Sequence, residues 1–161
     1  HASSPVKDTG LVGTSAPQFS IANISREPLT LDRLLQEYKL VILNFWGLRC
    51  GACMEEMPHL NDIHRKYKEN VIILGVNVDA VDAQFLRQQM DKMGLEIDYE
   101  VIPDPEFTLV DMFQFTAAPL TIVIDSEGII RYRHENFEAG DEKKLEEVVK
   151  SLLDGKKVVN K

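Results

Sequence analysis

Cys50 and Cys53 are the only cysteines in a chain of 161 residues, and three positions separate them. A disulfide across so short a loop removes little chain entropy from the unfolded state, so stapling is a poor use for it. Reversible oxidation is a better one. The pair follows the apolar run Lys39–Trp46 and opens a helical pattern. At a helix start, the free amides and the dipole favour an anion, so the Cys50 thiol should ionise more readily than a free cysteine. Arg49 supplies a neighbouring positive charge that pushes the same way if its side chain folds back. Cys53 lies one turn farther in and faces the sheet, a poorer first nucleophile but a well-placed resolving thiol. Cys50 would attack a substrate disulfide, and Cys53 would then attack Cys50 and release the reduced substrate. The reverse order oxidises.

Glu56 lies one helical turn beyond Cys53. On a buried face its carboxyl pKa rises and it can exchange a proton with Cys53; on an exposed face it is one of two solvated acids, Glu55 and Glu56, at a helix start. A zinc site competes for the cysteines and needs two more ligands. His59 and His64 are the nearby candidates, but one rigid helix holds them, and Cys53 and His59 stand about 9 Å apart along its axis. Pro119 precedes a strand. A cis bond there would set the Ala118 backbone in a tight loop able to pair with an extended substrate, whereas a trans bond would simply open the strand.

The elements that must hold these groups follow from periodicity. Residues 39–46 and 70–80 read as buried central strands. Residues 51–69 read as a helix bent at Pro58, with Cys53, Met57, Leu60, His64 and Tyr67 at helical spacing. Short strands flank a turn at Ser25–Glu27, and a brief helix follows through Asp32–Glu37. Asp82–Met93 is a helix, Tyr99–Ile102 a strand, and Pro105–Phe113 a short helix or turn. TIVID and IIRYRH flank a hairpin turn at Ser126–Gly128, and Asp141–Leu153 is the last helix. The pattern predicts an α/β fold, a central mixed sheet flanked by helices. One domain is expected over residues 15–155, with a flexible arm at 1–14 and a polar tail at 156–161.

Composition narrows the function classes. Apolar residues make up 44% and charged residues 27%, which suits one globular core. Twenty-six acidic residues against eighteen basic ones give a formal charge of -8, and no basic stripe appears. Nonspecific nucleic-acid binding is therefore disfavoured. No stretch is long and apolar enough to span a bilayer. The start at His1 fits either a processed mature protein or a trimmed one.

Several segments, in order, resemble extracytoplasmic thioredoxin-fold proteins of the ResA/TlpA-like kind: APQF at 16–19, LNFWG at 43–47, CGACMEEMP at 50–58 and AAPLTIVIDSEG at 117–128. The resemblance implies a thioredoxin-like fold with an N-terminal strand extension and a central strand–helix insertion within residues 71–102. It implies Cys50 as the exposed nucleophile, Cys53 as its buried partner and Glu56 as the carboxylate kept near the pair. Asn44 takes the place of a buried strand aspartate, Pro58 that of a helix-bending proline, Trp46 that of the aromatic before the loop, and Pro119 that of a cis-proline with Ala118 on the substrate rim. It further implies an exported protein, often anchored at its N-terminus, that needs no cofactor beyond the disulfide. It would reduce protein disulfides, apocytochrome c cysteines among them, with electrons from a membrane thiol carrier. Three features depart from the pattern: Arg49 in place of a tryptophan, Gly51-Ala52 without proline, and Ala117-Ala118 as a small rim. Two other readings stand beside this one. A redox-sensing binding module would have equally sluggish thiols. A peroxiredoxin would need a threonine or serine three residues before its cysteine and a proline seven before, where Gly47 and Leu43 stand.

Overall fold

The computed structural model describes residues 10–156. Two short antiparallel strands, β1 (Ser20–Ala22) and β2 (Pro28–Thr30), lead into helix α1 (Leu31–Glu37). The main sheet is built from β3 (Leu40–Trp46), β4 (Val71–Asn77), β5 (Glu100–Pro103), β6 (Leu120–Ile124) and β7 (Ile130–Glu135). The order is β5-β4-β3-β6-β7. β3 pairs parallel with β4, and β4 with β5; β6 runs antiparallel to both β3 and β7. Helices α2 (Gly51–Tyr67), α3 (Ala83–Met93), α4 (Thr108–Met112) and α5 (Asp141–Leu153) complete the fold. This is the expected mixed sheet flanked by helices, with α3 and β5 added beyond β4.

β3 is buried throughout because both sheet faces are covered. Val41, Leu43 and Phe45 point into one cluster with Leu31 and Leu34 of α1, Leu109 of α4 and Phe113. Leu40 and Ile42 point the other way, against Leu60 and Ile63 of α2 and Leu145, Val148 and Val149 of α5. The strand's last residue, Trp46, enters a third cluster with Cys53, Met57, Leu86 and Val101. Alternation along one strand thus puts the aromatic at its end on the same face as α2.

Two boundaries differ from the sequence reading. Helix α4 is shorter than residues 105–113 because Phe107 adopts a left-handed φ of 59°, while Asp104 accepts the N–H groups of Leu109 and Val110 at 3.2 and 3.0 Å. The arm expected over 1–14 ends earlier. Its first nine residues lie outside those described, but Gly13 N–H donates to Ile130 O at 2.8 Å and Ile130 N–H donates to Thr14 O at 3.0 Å. An edge strand's unpaired groups recruit this segment. Gly10 is obligatory in the docking: its φ is 75°, and a Cβ there would meet Phe113 Cα at 2.8 Å. Of the expected tail, only Lys156 is described, its N–H donating to Ser151 O at 2.9 Å.

Candidate active site

β3 ends at Trp46, and the chain turns through Gly47, Leu48 and Arg49 before α2 begins. Cys50 N–H donates to Gly47 O at 3.3 Å, closing that turn. Cys50 is the N-cap of α2, its backbone extended and its sulfur accepting the Cys53 N–H at 3.2 Å. A sulfur in this position meets the first unsatisfied amides and the positive end of the dipole, which favour its thiolate once the pair is reduced. Cys50 and Cys53 are joined by a disulfide with their Cα atoms 5.2 Å apart. Cys50 is half-buried and Cys53 is only 1% exposed. The two cysteines therefore differ in burial, Cys50 partly exposed and Cys53 enclosed.

Trp46, fully buried, lies in the same cluster as Cys53, and Ala118 and Leu48 pack against it. The segment before β6 thus reaches the redox pair, which local periodicity cannot show. The Ala118–Pro119 peptide bond is cis, and Pro119 is buried. Pro58 sits inside α2 and is exposed. Arg49 is exposed and makes no hydrogen bond or ion pair with the described residues.

Glu56 faces the sheet from α2 and is 6% exposed. Asn44 on β3 donates Nδ2–H to Glu56 Oε1 at 2.8 Å and to Thr121 Oγ1 at 3.0 Å, and Thr121 donates to Glu56 Oε2 at 3.5 Å. Asn44 and Thr121 are direct partners across the β3–β6 ladder. Burial lifts the Glu56 pKa from 4.5 to about 7, more than the Asn44 hydrogen bond, the His134 charge and the Thr121 hydrogen bond draw it down. Asp141 pushes it slightly farther up. A carboxyl poised near neutrality one turn from the buried cysteine can hold a proton or release it there.

Sequence reasoning missed Thr121, because its partnership with Asn44 depends on which strands pair. It also missed Asn77 and Asp79, which hold the turn before Cys50; their signal was a polar cluster at the carboxyl end of a buried strand, where sites gather in α/β sheets. The histidines do not join the cysteines. His59 lies 5.8 Å from the Phe137 ring, and His64 Nδ1 is buried without a partner. Among the described residues no group of three or more His, Cys, Asp or Glu side chains is arranged to hold a metal ion.

Comparison with known proteins agrees with this geometry. The thiol-disulfide oxidoreductase ResA of Halalkalibacterium halodurans is 32% identical over 119 residues, a match covering 73% of this chain and 65% of the relative, just under two-thirds of its length. The thioredoxin-like protein YneN of Bacillus subtilis is 25% identical over 129 residues, covering 80% of this chain and 74% of that one. Among solved structures, a Chlorobium tepidum protein designated thiol:disulfide interchange protein DsbE superposes with a TM-score of 0.78 at 24% identity, over 89% of this chain and 98% of that one. A secreted Mycobacterium tuberculosis disulfide oxidoreductase gives 0.69 at 19% identity, over 84% and 96%. These structural likenesses establish a thioredoxin-like fold. Residues 12–133 match the AhpC/TSA family, and the chain belongs to it.

Proposed function

We propose that this protein is a thiol–disulfide oxidoreductase that exchanges the Cys50–Cys53 couple with cysteine pairs of other proteins. The observation that carries the reading is the stacked arrangement of a half-exposed sulfur capping α2, a buried partner sulfur and a buried carboxyl one turn beyond. Reduced, Cys50 attacks a substrate disulfide as a thiolate and one substrate sulfur leaves. Cys53 then gives up its proton to Glu56, attacks Cys50, and expels the second substrate sulfur. Two electrons pass to the substrate and the pair is left oxidised. Ala118 and Pro119 form the rim against which an extended substrate segment lies. Trp46 packs beneath the pair, Pro58 removes one backbone donor from α2, and Arg49 adds positive charge at the mouth of the site.

The net direction proposed is reduction, in an extracytoplasmic compartment, with apocytochrome c cysteines as the substrate class and a membrane thiol carrier as electron donor. The relatives named thiol-disulfide oxidoreductase support the exchange itself, and the resemblance carried by the motif segments supports the direction, compartment and partners. No helix among the described residues is long and apolar enough to cross a membrane, so tethering would need a segment outside them. The reduction potential tests the direction. A value near or below about -270 mV supports a reductant, and one near about -120 mV makes the protein an oxidant.

A further inference from the structure

The loop after β4 reaches back to the turn that carries the redox pair. Asp79 accepts two hydrogen bonds on Oδ2, from the Leu48 backbone N–H at 2.8 Å and from Asn77 Nδ2 at 2.8 Å. Its own N–H donates to Asn77 Oδ1 at 3.1 Å. Asn77 is fully buried as the last residue of β4, in register with Trp46, and Val78 N–H donates to Trp46 O at 2.9 Å. Asp79 is therefore fixed to the sheet while gripping a backbone donor two residues before Cys50. A Cβ on Gly47 would stand 3.6 and 3.8 Å from the two Asp79 carboxylate oxygens and 3.9 Å from Cys50 Cβ. The carboxylate oxygens and Cys50 Cβ thus all lie within 4 Å of one point beside Gly47, in the turn that leads into α2.

This position opposes the other influence on Cys50. The start of α2 favours an anionic sulfur, and Asp79 is a like charge to that anion. Glu55 and Glu56 follow on α2, Glu55 exposed and Glu56 directed to the sheet. The neighbouring Val81 and Ala118 bring apolar atoms to the cluster against which Cys50 packs. Asp79 comes to this turn from the loop after β4, not from α2 or the turn that leads into it.

We propose that Asp79 is a positioning residue of the exchange site, clamping the Leu48–Cys50 turn to β4 and holding a negative charge beside Cys50 that restrains formation of its thiolate. The proposal rests on the reading of Cys50 as the attacking thiol. When a partner dithiol reduces the pair, two electrons enter it, the partner leaves as a disulfide, and the Cys50 sulfur carries either a proton or a charge. Asp79 biases that choice toward the proton. The protein thereby keeps its exposed thiol less ionised than the helix start alone would make it.

The test is the pH profile of Cys50 alkylation by iodoacetamide, read by peptide mass on the reduced wild type, Asp79→Asn and Asp79→Ser. The asparagine side chain keeps an oxygen for the Leu48 N–H and loses the charge, whereas the shorter serine loses both. The midpoint should fall by about half a pH unit in both variants, the size expected for an exposed charge at this range. Hydrogen exchange at the Leu48 amide should stay slow in Asp79→Asn and quicken in Asp79→Ser. A midpoint that stays put or rises in Asp79→Asn overturns the charge assignment, and the midpoint of Asp79→Ser decides the same question should circular dichroism show the first variant unfolded. An unchanged Leu48 exchange rate in folded Asp79→Ser overturns the clamp. A wild type that does not exchange with oxidised glutathione defeats the oxidoreductase reading. One that exchanges, with an unmoved midpoint in both variants, defeats the Asp79 assignment alone.

Discussion

Replacing Glu56 by Gln should make the protein more stable at alkaline pH and leave it nearly unchanged in acid. Glu56 is 6% exposed and its pKa is lifted from 4.5 to about 7. Between those values the folded chain keeps a proton that the unfolded chain has released. Stability therefore falls as pH rises through this window, and the loss is complete above about 7. A displacement of this size corresponds to about 3 kcal/mol. Gln is the right probe because its carbonyl oxygen can accept the Asn44 bond and its amide can donate to Thr121, so the packing and the network survive. Urea unfolding of the two oxidised proteins from pH 4 to pH 8 gives the difference in stability, in which titrations common to both cancel. That difference should grow by about 3 kcal/mol in favour of Gln as pH rises from 4 to 8. A difference independent of pH, or one that grows in favour of Glu, would refute the claim that burial governs this carboxyl. The same variant should lose the pH dependence of thiol exchange near neutrality if Glu56 handles the Cys53 proton.

In the reduced protein, Cys50 should alkylate much faster than Cys53 near pH 7, because one is half-exposed at a helix start and the other lies under it; equal rates would contradict the division of labour. Asn44→Ala removes the donor to both Glu56 and Thr121, so it should cost about 1–3 kcal/mol in denaturant unfolding and move the Glu56 titration upward. A carboxyl titrating at an unchanged pH would exclude that hydrogen bond as a control on it. Gly75→Ala would set a Cβ 2.8 Å from Tyr99 Cε1 and 3.3 Å from Trp46 Nε1. With both rings buried, a loss of about 1–3 kcal/mol is expected, read as a lowered denaturation midpoint.

What could be read from residues alone was whatever local spacing encodes. The disulfide pair, the helix beginning at Gly51 and the apolar run ending at Trp46 are neighbours in the chain, so their order already placed a sulfur at a helix start. Glu56 was visible as a residue one turn from Cys53, but not its burial, which depends on the sheet beneath α2. Thr121 reads as an ordinary strand residue until β6 is laid antiparallel to β3 with Asn44 opposite it. Asp79 reads as a polar loop residue until the parallel pairing of β3 with β4 brings the ends of both strands together. Residues 10–14 looked like an arm because the hydrogen bonds that dock them join Gly13 and Thr14 to Ile130, more than a hundred residues away. The resemblance to extracytoplasmic thioredoxin-fold proteins supplied what spacing did not, the nearness of Ala118 and Pro119 to the cysteines, and the packing of Ala118 against the Trp46–Cys53 cluster agrees with it.

The exchange reaction itself is tested most directly by trapping its intermediate. The reduced Cys53→Ala variant should accumulate a mixed disulfide at Cys50 with oxidised glutathione or a disulfide-bearing protein, measured by intact mass, while the wild type forms it only transiently and ends with its own pair oxidised. A Cys53→Ala variant that forms no adduct, or a Cys50→Ala variant that forms one at Cys53 just as fast, would contradict the account.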